Sequence, residues 1–233
     1  MLLSLLLATA HAGSCDFVGP AEVRSWEAPA VVVLGERFGE TVDLKRAKVV
    51  IDTLARTAPV RVALERVHRR YQPILDRHGR GSANDSDLPY LMKWDDEQVW
   101  PWKAYAPLVT LGRSGFAVIA VGDDLGQTAT GPLALPPGYL DLWRPAMGGH
   151  PVPLGMEARF AASMAAYERS LAERALLGWK ETGFLVVVTG RGHVEGGMGV
   201  GWQVEQLTDV PVHALVLKAG DDPPCHRGDQ LWK

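Results

Sequence analysis

The run Phe184-Leu-Val-Val-Val-Thr189 stops at Gly190 and gives way to a stretch holding Gly190, Gly192, Gly196, Gly197 and Gly199 around a single histidine, His193. A continuous β-branched run with no polar alternation has no solvent-facing side. It must be a strand buried on both faces, as in a parallel sheet covered by helices. Glycine then permits backbone conformations and close approaches closed to other residues. In open α/β sheets the loops past the carboxyl ends of the strands are where ligands sit. The plainer alternative is a connecting loop that contains a histidine.

Four further apolar runs extend this pattern: Ala30-Val-Val-Val-Leu34, Val60-Arg-Val-Ala-Leu-Glu65, Phe116-Ala-Val-Ile-Ala-Val121 and Val212-His-Ala-Leu-Val-Leu217. Between them lie segments with helical spacing. Ala47, Val50, Ile51 and Leu54 predict a helix over about 41–56. A second is expected over 67–78 with Pro73 as a kink or restart. Met156, Phe160, Met164, Tyr167, Leu171 and Ala175 predict a long one over 156–181. A short helix is expected over 201–207. Alternating strands and helices predict an α/β fold, a mostly parallel sheet of about five strands with helices on both faces. A Trp-rich stretch over 88–113 and a Gly/Pro-rich excursion over 125–155 interrupt the alternation, and excursions of that length are often functional. The expected layout is a leader over 1–15, a linker over 16–29, one domain over 30–220 and an irregular tail over 221–233.

Parallel strands bring their carboxyl ends to one edge. Standing there are Glu36 after the first strand, Glu65 closing the second, Asp123 and Asp124 after the third and His193 after the fourth. Glu65 directly ends an apolar strand, and a buried carboxylate needs a partner, a metal or a proton. Two carboxylates and an imidazole suit a divalent metal or acid–base work. The structural alternative is that Glu36 and Glu65 cap helices or pair with Arg37 and Arg66.

The balance of 24 Lys and Arg against 27 Asp and Glu, net −3, contains no long basic run, so nucleic acid is not an expected partner. The N-terminal apolar run ends in Ala10-His11-Ala12, the small-x-small form of a signal-peptidase site, and it is too short to span a bilayer. Export is the expectation; a buried N-terminal element is the alternative. Ala12-Gly13-Ser14-Cys15 is close to a bacterial lipobox, which would anchor the chain to a membrane through a lipid on Cys15. The competing fate is a disulfide between Cys15 and Cys225, the two cysteines of the chain.

Val-Val-Val-Leu-Gly-Glu36, Val-Ala-Leu-Glu65 and Gly190-Arg-Gly-His193 with its following Gly-Met-Gly-Val200 together resemble the ChaN-type haem-binding lipoproteins of the wider Tiki/TraB/erythromycin-esterase-like superfamily. Trp102-Lys-Ala-Tyr105-Ala-Pro107 and Met164-Ala165 extend the resemblance over roughly 30–217. It implies a parallel α/β core, export to the periplasm or a lipid-anchored state, a role in haem binding and iron uptake, and a pocket over the strand ends; site residues carry over at Glu36, Glu65 and His193 alone, and Tyr105, Asp123, Gly190 and Gly192 are further pocket candidates. The expected partners are a small molecule such as haem and a second copy of the chain. Tiki relatives are metal-dependent proteases with two Gly-x-x-His motifs. Here the first motif reads Gly35-Glu36-Arg37-Phe38, and Phe38 can neither bind metal nor carry a proton. The acidic residue usual shortly before Met-Ala in the long helix is also absent.

A divalent metal on Glu36, Glu65 and His193 is therefore the lesser expectation, and hydrolytic activity is not expected. The alternatives are a Tiki-type metal-dependent hydrolase or an inactive member serving as a surface or interaction protein. Haem needs an axial ligand and a flat apolar wall. His68, Tyr71, Tyr105, His150, His193 and Met198 are the ligand candidates. The tryptophans over 94–102 and Trp143 are candidate walls, although such side chains are more often core. Intact mass decides the fate of Cys15: a diacylglyceryl adduct supports the anchor, and a loss of two hydrogens supports pairing with Cys225.

Overall fold

The computed structural model of the chain describes residues 16–37, 39–123, 133, 135–141, 156–217 and 230–232. Seven strands form one sheet: β1 (Asp16–Val18), β2 (Ala30–Glu36), β3 (Val60–His68), β4 (Ala117–Gly122), β5 (Phe184–Gly190), β6 (Val212–Val216) and β7 (Gln230–Trp232). Their order across the sheet is β1-β7-β6-β2-β5-β3-β4, and every pairing is parallel. The five expected strands are all present. The two additions, β1 and β7, are three-residue strands paired with each other at one edge. Such short segments carry too little apolar periodicity to be seen in sequence, and β1 falls within the stretch expected to be a linker.

Every residue of β2 and β5 is buried. Alternate residues face opposite layers, as a pleated strand requires. Val32, Leu34, Val186 and Val188 pack with α2 (Thr41–Leu54) and α6 (Trp102–Val109) through Leu44, Ile51, Leu54 and Leu108. Val31, Val33, Leu185 and Val187 pack against α7 (Met156–Leu176) and α8 (Val200–Glu205) through Leu171, Ala175, Val200 and Val204. Between β3 and α6 the chain makes α3 (Gln72–Gly79), α4 (Leu88–Leu91) and α5 (Trp94–Glu97). A single turn, α1 (Pro20–Val23), precedes β2.

Two boundaries differ from expectation for physical reasons. The helix expected from Val67 begins at Gln72, because β3 continues to His68; Pro73 then sits in the first helical turn, where its missing N–H costs no hydrogen bond. The long helix ends at Leu176, and Gly178 follows at φ +70°, a left-handed turn that stops it.

The extension of β3 carries a register shift against β4 between Leu64 and His68. The bulge brings the Glu65 carbonyl against Gly122, where an added Cβ would lie 2.1 Å from that oxygen and 2.9 Å from the Val67 oxygen. Gly122→Ala is therefore expected to destabilise the fold by roughly 1–3 kcal/mol through overpacking. Gly19→Ala, with nothing within 4 Å of the new methyl, is the control. Denaturant midpoints measure both; equal midpoints would mean the bulge relaxes freely.

Candidate functional site

Glu36 is the last residue of β2, on the α2/α6 side of the sheet. Its Oε2 accepts from the Gly39 N–H at 2.8 Å, and its Oε1 accepts from the Tyr105 hydroxyl at 2.8 Å. Glu65 stands at the β3 bulge and faces the α7 side. Its Oε1 accepts from the Tyr167 hydroxyl at 2.9 Å; its Oε2 accepts from the Thr189 hydroxyl and the Gly190 N–H, each at 2.7 Å. Each carboxylate thus receives one tyrosine hydroxyl and at least one backbone N–H. Arg66 joins them over the end of the sheet, its Nε 3.6 Å from Glu36 Oε1 and its Nη1 3.7 Å from Glu65 Oε1. The Trp100 ring lies 5.8 Å from this guanidinium.

Past β5 the glycine stretch folds into 3₁₀ turns over Arg191–His193 and Glu195–Gly197. Gly199 lets the chain double back: an added Cβ there would lie 2.0 Å from the His193 carbonyl oxygen. Gly35 serves the same packing from the sheet, with Val194 Cβ 3.0 Å from its own absent Cβ. His193 is thereby buried with Nε2 3.9 Å from Glu65 Oε1 and Nδ1 3.0 Å from Glu168 Oε1. The other Glu168 oxygen accepts from the Tyr139 hydroxyl at 2.5 Å. Gly190 holds Glu65 through its N–H; Gly192 contributes to the turn.

Of the sequence-named residues, the structure brings together Glu36, Glu65, Tyr105, Gly190 and His193. Asp123 stands apart from both carboxylates, paired with Arg174 and 3.6 Å from both Arg69 Nε and His68 Nε2. It faces a cleft of about 300 Å³ over the ends of β3 and β4, lined by Glu65, Arg66, His68, Arg70, Glu97 and Tyr167 among others. Arg37 pairs with Asp43, and Arg66 makes the carboxylate contacts that a structural reading assigned to it. Phe38, Asp124, Trp143, His150, Cys15 and Cys225 lie outside the described residues.

Four members of the network were missed as site residues: Arg66 as the joining cation, Tyr167, Glu168 and Tyr139. Glu168 had a signal. It lies on the stripe Ala161, Ala165, Ala172, Ala175, and a carboxylate among buried alanines needs a partner. The acid missing before Met164-Ala165 is thus supplied after them. Tyr167 read as core because its ring is core; only the fold shows where its hydroxyl goes.

Residues 23–129 supply Glu36, Glu65, Arg66, His68, Tyr105 and Asp123. That segment matches the ChaN family. The family model is described as haem-binding uptake, Tiki superfamily, ChaN, and the sequence resemblance to ChaN-type proteins is borne out. Among solved structures the chain is similar to ChaN of Campylobacter jejuni, described with cofacial haem binding, at TM-score 0.63 and 15% identity over 83% of each chain. It is also similar to the type III effector HopBA1, at TM-score 0.50 and 15% identity over 85% of this chain and 79% of that one. A third likeness is to the C-terminal region of Pasteurella multocida toxin, described with a thiol-protease-like catalytic triad, at TM-score 0.53 and 11% identity over 92% of this chain and 27% of that one. At these identities the structures share the fold. No curated protein matches the chain.

The electrostatics of this site follow from burial and partners. Burial pushes Glu65 upward, but Arg66, His193, Thr189 and Gly190 outweigh it and hold the carboxyl at about 2. Glu36 is pushed up by burial despite Gly39 and Tyr105. Glu168 is likewise pushed up by burial, against the opposing pull of His193. Burial lowers His193, yet the Glu168 hydrogen bond and the charges of Glu65 and Glu168 carry it above 6.5. Glu65 is therefore a fixed anion, while Glu168 and His193 are disposed to hold a proton between them. Among the described residues no three His, Cys, Asp or Glu side chains form a metal-ligand group; between the two strand-end carboxylates the positive charge comes from Arg66.

The sign of the pH dependence follows. Glu65, depressed in the fold, stabilises it above the ordinary carboxylate range and loses that contribution as pH falls toward 2. His193, raised in the fold, stabilises it below 6.5 and loses that contribution as pH rises through its folded value. Glu36 and Glu168, also raised, favour the fold while protonated and oppose it as they ionise. Stability is expected to peak on the acid side of neutrality and to decline toward alkaline pH, with His193→Gln removing part of that decline. Urea midpoints across the pH range measure this; an alkaline limb unchanged in His193→Gln would contradict the assignment.

Proposed function

We propose that this is an exported ChaN-like protein that binds haem, or a related iron-carrying ligand, over the carboxyl ends of its strands. The observation that carries the reading is the match to the haem-binding uptake family across the segment that supplies most of the cleft's polar groups. The leader-like N-terminus supports export, and a lipid on Cys15 or a second copy of the chain would complete the family pattern.

The residues at the cleft fit the acidic edge of a porphyrin. Arg66 and Arg70 line it beside Glu65, Glu97 and Asp123; Arg70 is paired with Glu97, and a haem propionate would compete with that carboxylate for its guanidinium. A cleft of about 300 Å³ is at the lower end for ligand cavities, which suits the propionates inside and the ring at the mouth. When bound, the iron would supply redox and ligand-exchange chemistry and the protein an axial ligand.

The candidates for that ligand are no longer equal. His193 has both ring nitrogens turned to buried carboxylates, and the Tyr105 hydroxyl is committed to Glu36. His68 Nδ1 accepts the Arg70 N–H at 3.1 Å, and its Nε2 lies 3.6 Å from Asp123 Oδ1. Met198 packs with Tyr139 and Phe160. His150 lies outside the described residues. Tyr71 follows His68 and Arg70 in the chain and is partly exposed, its ring 4.9 Å from the Arg70 guanidinium; its hydroxyl is shared between Arg70 and Glu97, and burial and Glu97 push it up, so iron would have to displace the Glu97 contact to take the phenolate.

Hemin titration of the purified protein is expected to give a saturable Soret shift. Tyr71→Phe should change the spectrum of the complex, and Arg70→Ala should weaken binding about tenfold through loss of a charged hydrogen bond. No Soret shift beyond a non-binding control would remove the haem reading; an unchanged spectrum in Tyr71→Phe would remove only its axial ligand.

A further inference from the structure

The largest cavity among those described, about 830 Å³, is separate from the strand-end cleft. It wraps the outer edge of the sheet along β4. On one face it is walled by Leu75, Val109 and Phe116; on the other by Ile119 and Leu177, the last 74% exposed. Its floor is the strand from Phe116 to Ala120. Five extended residues span roughly 16 Å, the reach of a long alkyl chain.

The rim is basic. Arg61, Arg69, Arg80 and Arg174 stand on it with one carboxylate, Asp76. Asp76 accepts from Gln72 at 2.8 Å, and Arg69 and Arg174 are engaged by Asp123. Among the described residues Arg61 and Arg80 have no acidic partner, and the buried Arg61 Nε makes no hydrogen bond. Burial lowers the Arg61 pKa without a compensating anion, the situation that a bound anionic group would relieve.

A bare sheet edge invites another strand, and here that is opposed. The Gln72 side chain occupies the edge in the manner of a neighbouring strand: its Oε1 accepts the Ala120 N–H at 2.7 Å and its Nε2 donates to the Val118 carbonyl at 3.0 Å. A second copy added across a two-fold axis would also set arginine against arginine. Blocked to strands by Gln72, with apolar walls on either side of that amide and an anion-seeking rim, the groove fits a small amphiphile.

We propose that this groove binds a long-chain carboxylate, with the headgroup on Arg61 and the alkyl chain along β4 between Phe116 and Leu177. The inference does not rest on the haem reading. The full chain is titrated with a dansyl-labelled fatty acid, then competed with laurate and with methyl laurate. Saturable enhancement displaced by laurate and not by its ester is expected. Arg61→Met should weaken binding about tenfold or more, as loss of a charge-assisted contact does. Ala117→Trp, at an exposed position on the strand, should fill the groove and abolish probe binding while leaving thermal unfolding and the hemin spectrum unchanged; Leu177→Asp is a second variant that spares the core. Equal displacement by the ester, or undiminished binding in both Ala117→Trp and Leu177→Asp, overturns the proposal. Joint loss of fatty acid and hemin binding overturns it as a separate site, and loss of a dimer in Ala117→Trp by light scattering would assign the groove to a second copy instead.

Discussion

The guanidinium of Arg66 lies between two buried carboxylates that belong to different strands and face different layers of the core. Glu36 leaves β2 on the α2/α6 side and Glu65 leaves β3 on the α7 side, and Arg66 approaches both. Removing Arg66 would leave two buried carboxylates without their shared cation, which typically costs more than a core methylene. The rest of the site is arranged to make this placement tolerable. Tyr105 from one helical layer and Tyr167 from the other each bring a hydroxyl to one carboxylate, and the ends of β2 and β5 bring backbone N–H groups.

That arrangement depends on how closely the backbone can pack at the strand ends. The β3 bulge carries Glu65 and Arg66 past the point where β4 would otherwise pair evenly, and Gly122 accommodates it. Gly35 and Gly199 let the loop after β5 press against the sheet and set His193 behind Glu65. The loop that drew attention through its histidine therefore acts as the back wall of the site. His193 is directed at Glu65 and Glu168, while the accessible groups of the cleft come from β3 and the segment after it.

The layout separates two kinds of chemistry. Behind the strand ends, Glu168 and His193 share a buried environment disposed to retain a proton, anchored by Tyr139. In front, Arg70 and Tyr71 stand partly exposed and are joined to Glu97.

Much of this was legible in the sequence. Unbroken Val/Ile/Leu runs have no solvated face, so β2 and β5 had to be central in a parallel sheet. Topology alone then brought Glu36, Glu65 and His193 to one edge. What periodicity could not carry was any feature whose signal is a partner distant in sequence. Arg66 read only as a structural partner of a single carboxylate, Tyr167 as core, β1 as linker and β7 as irregular tail, and Glu168 carried no reading, because each acquires its role only from a neighbour set by the fold. The sequence by itself determined which strands are buried and which ionisable groups stand at their ends, since burial pattern and strand direction are local or topological. Only the tertiary structure decided which of those groups are neutralised and which face the cleft, since that depends on ångström-scale approaches between strands and helices remote along the chain.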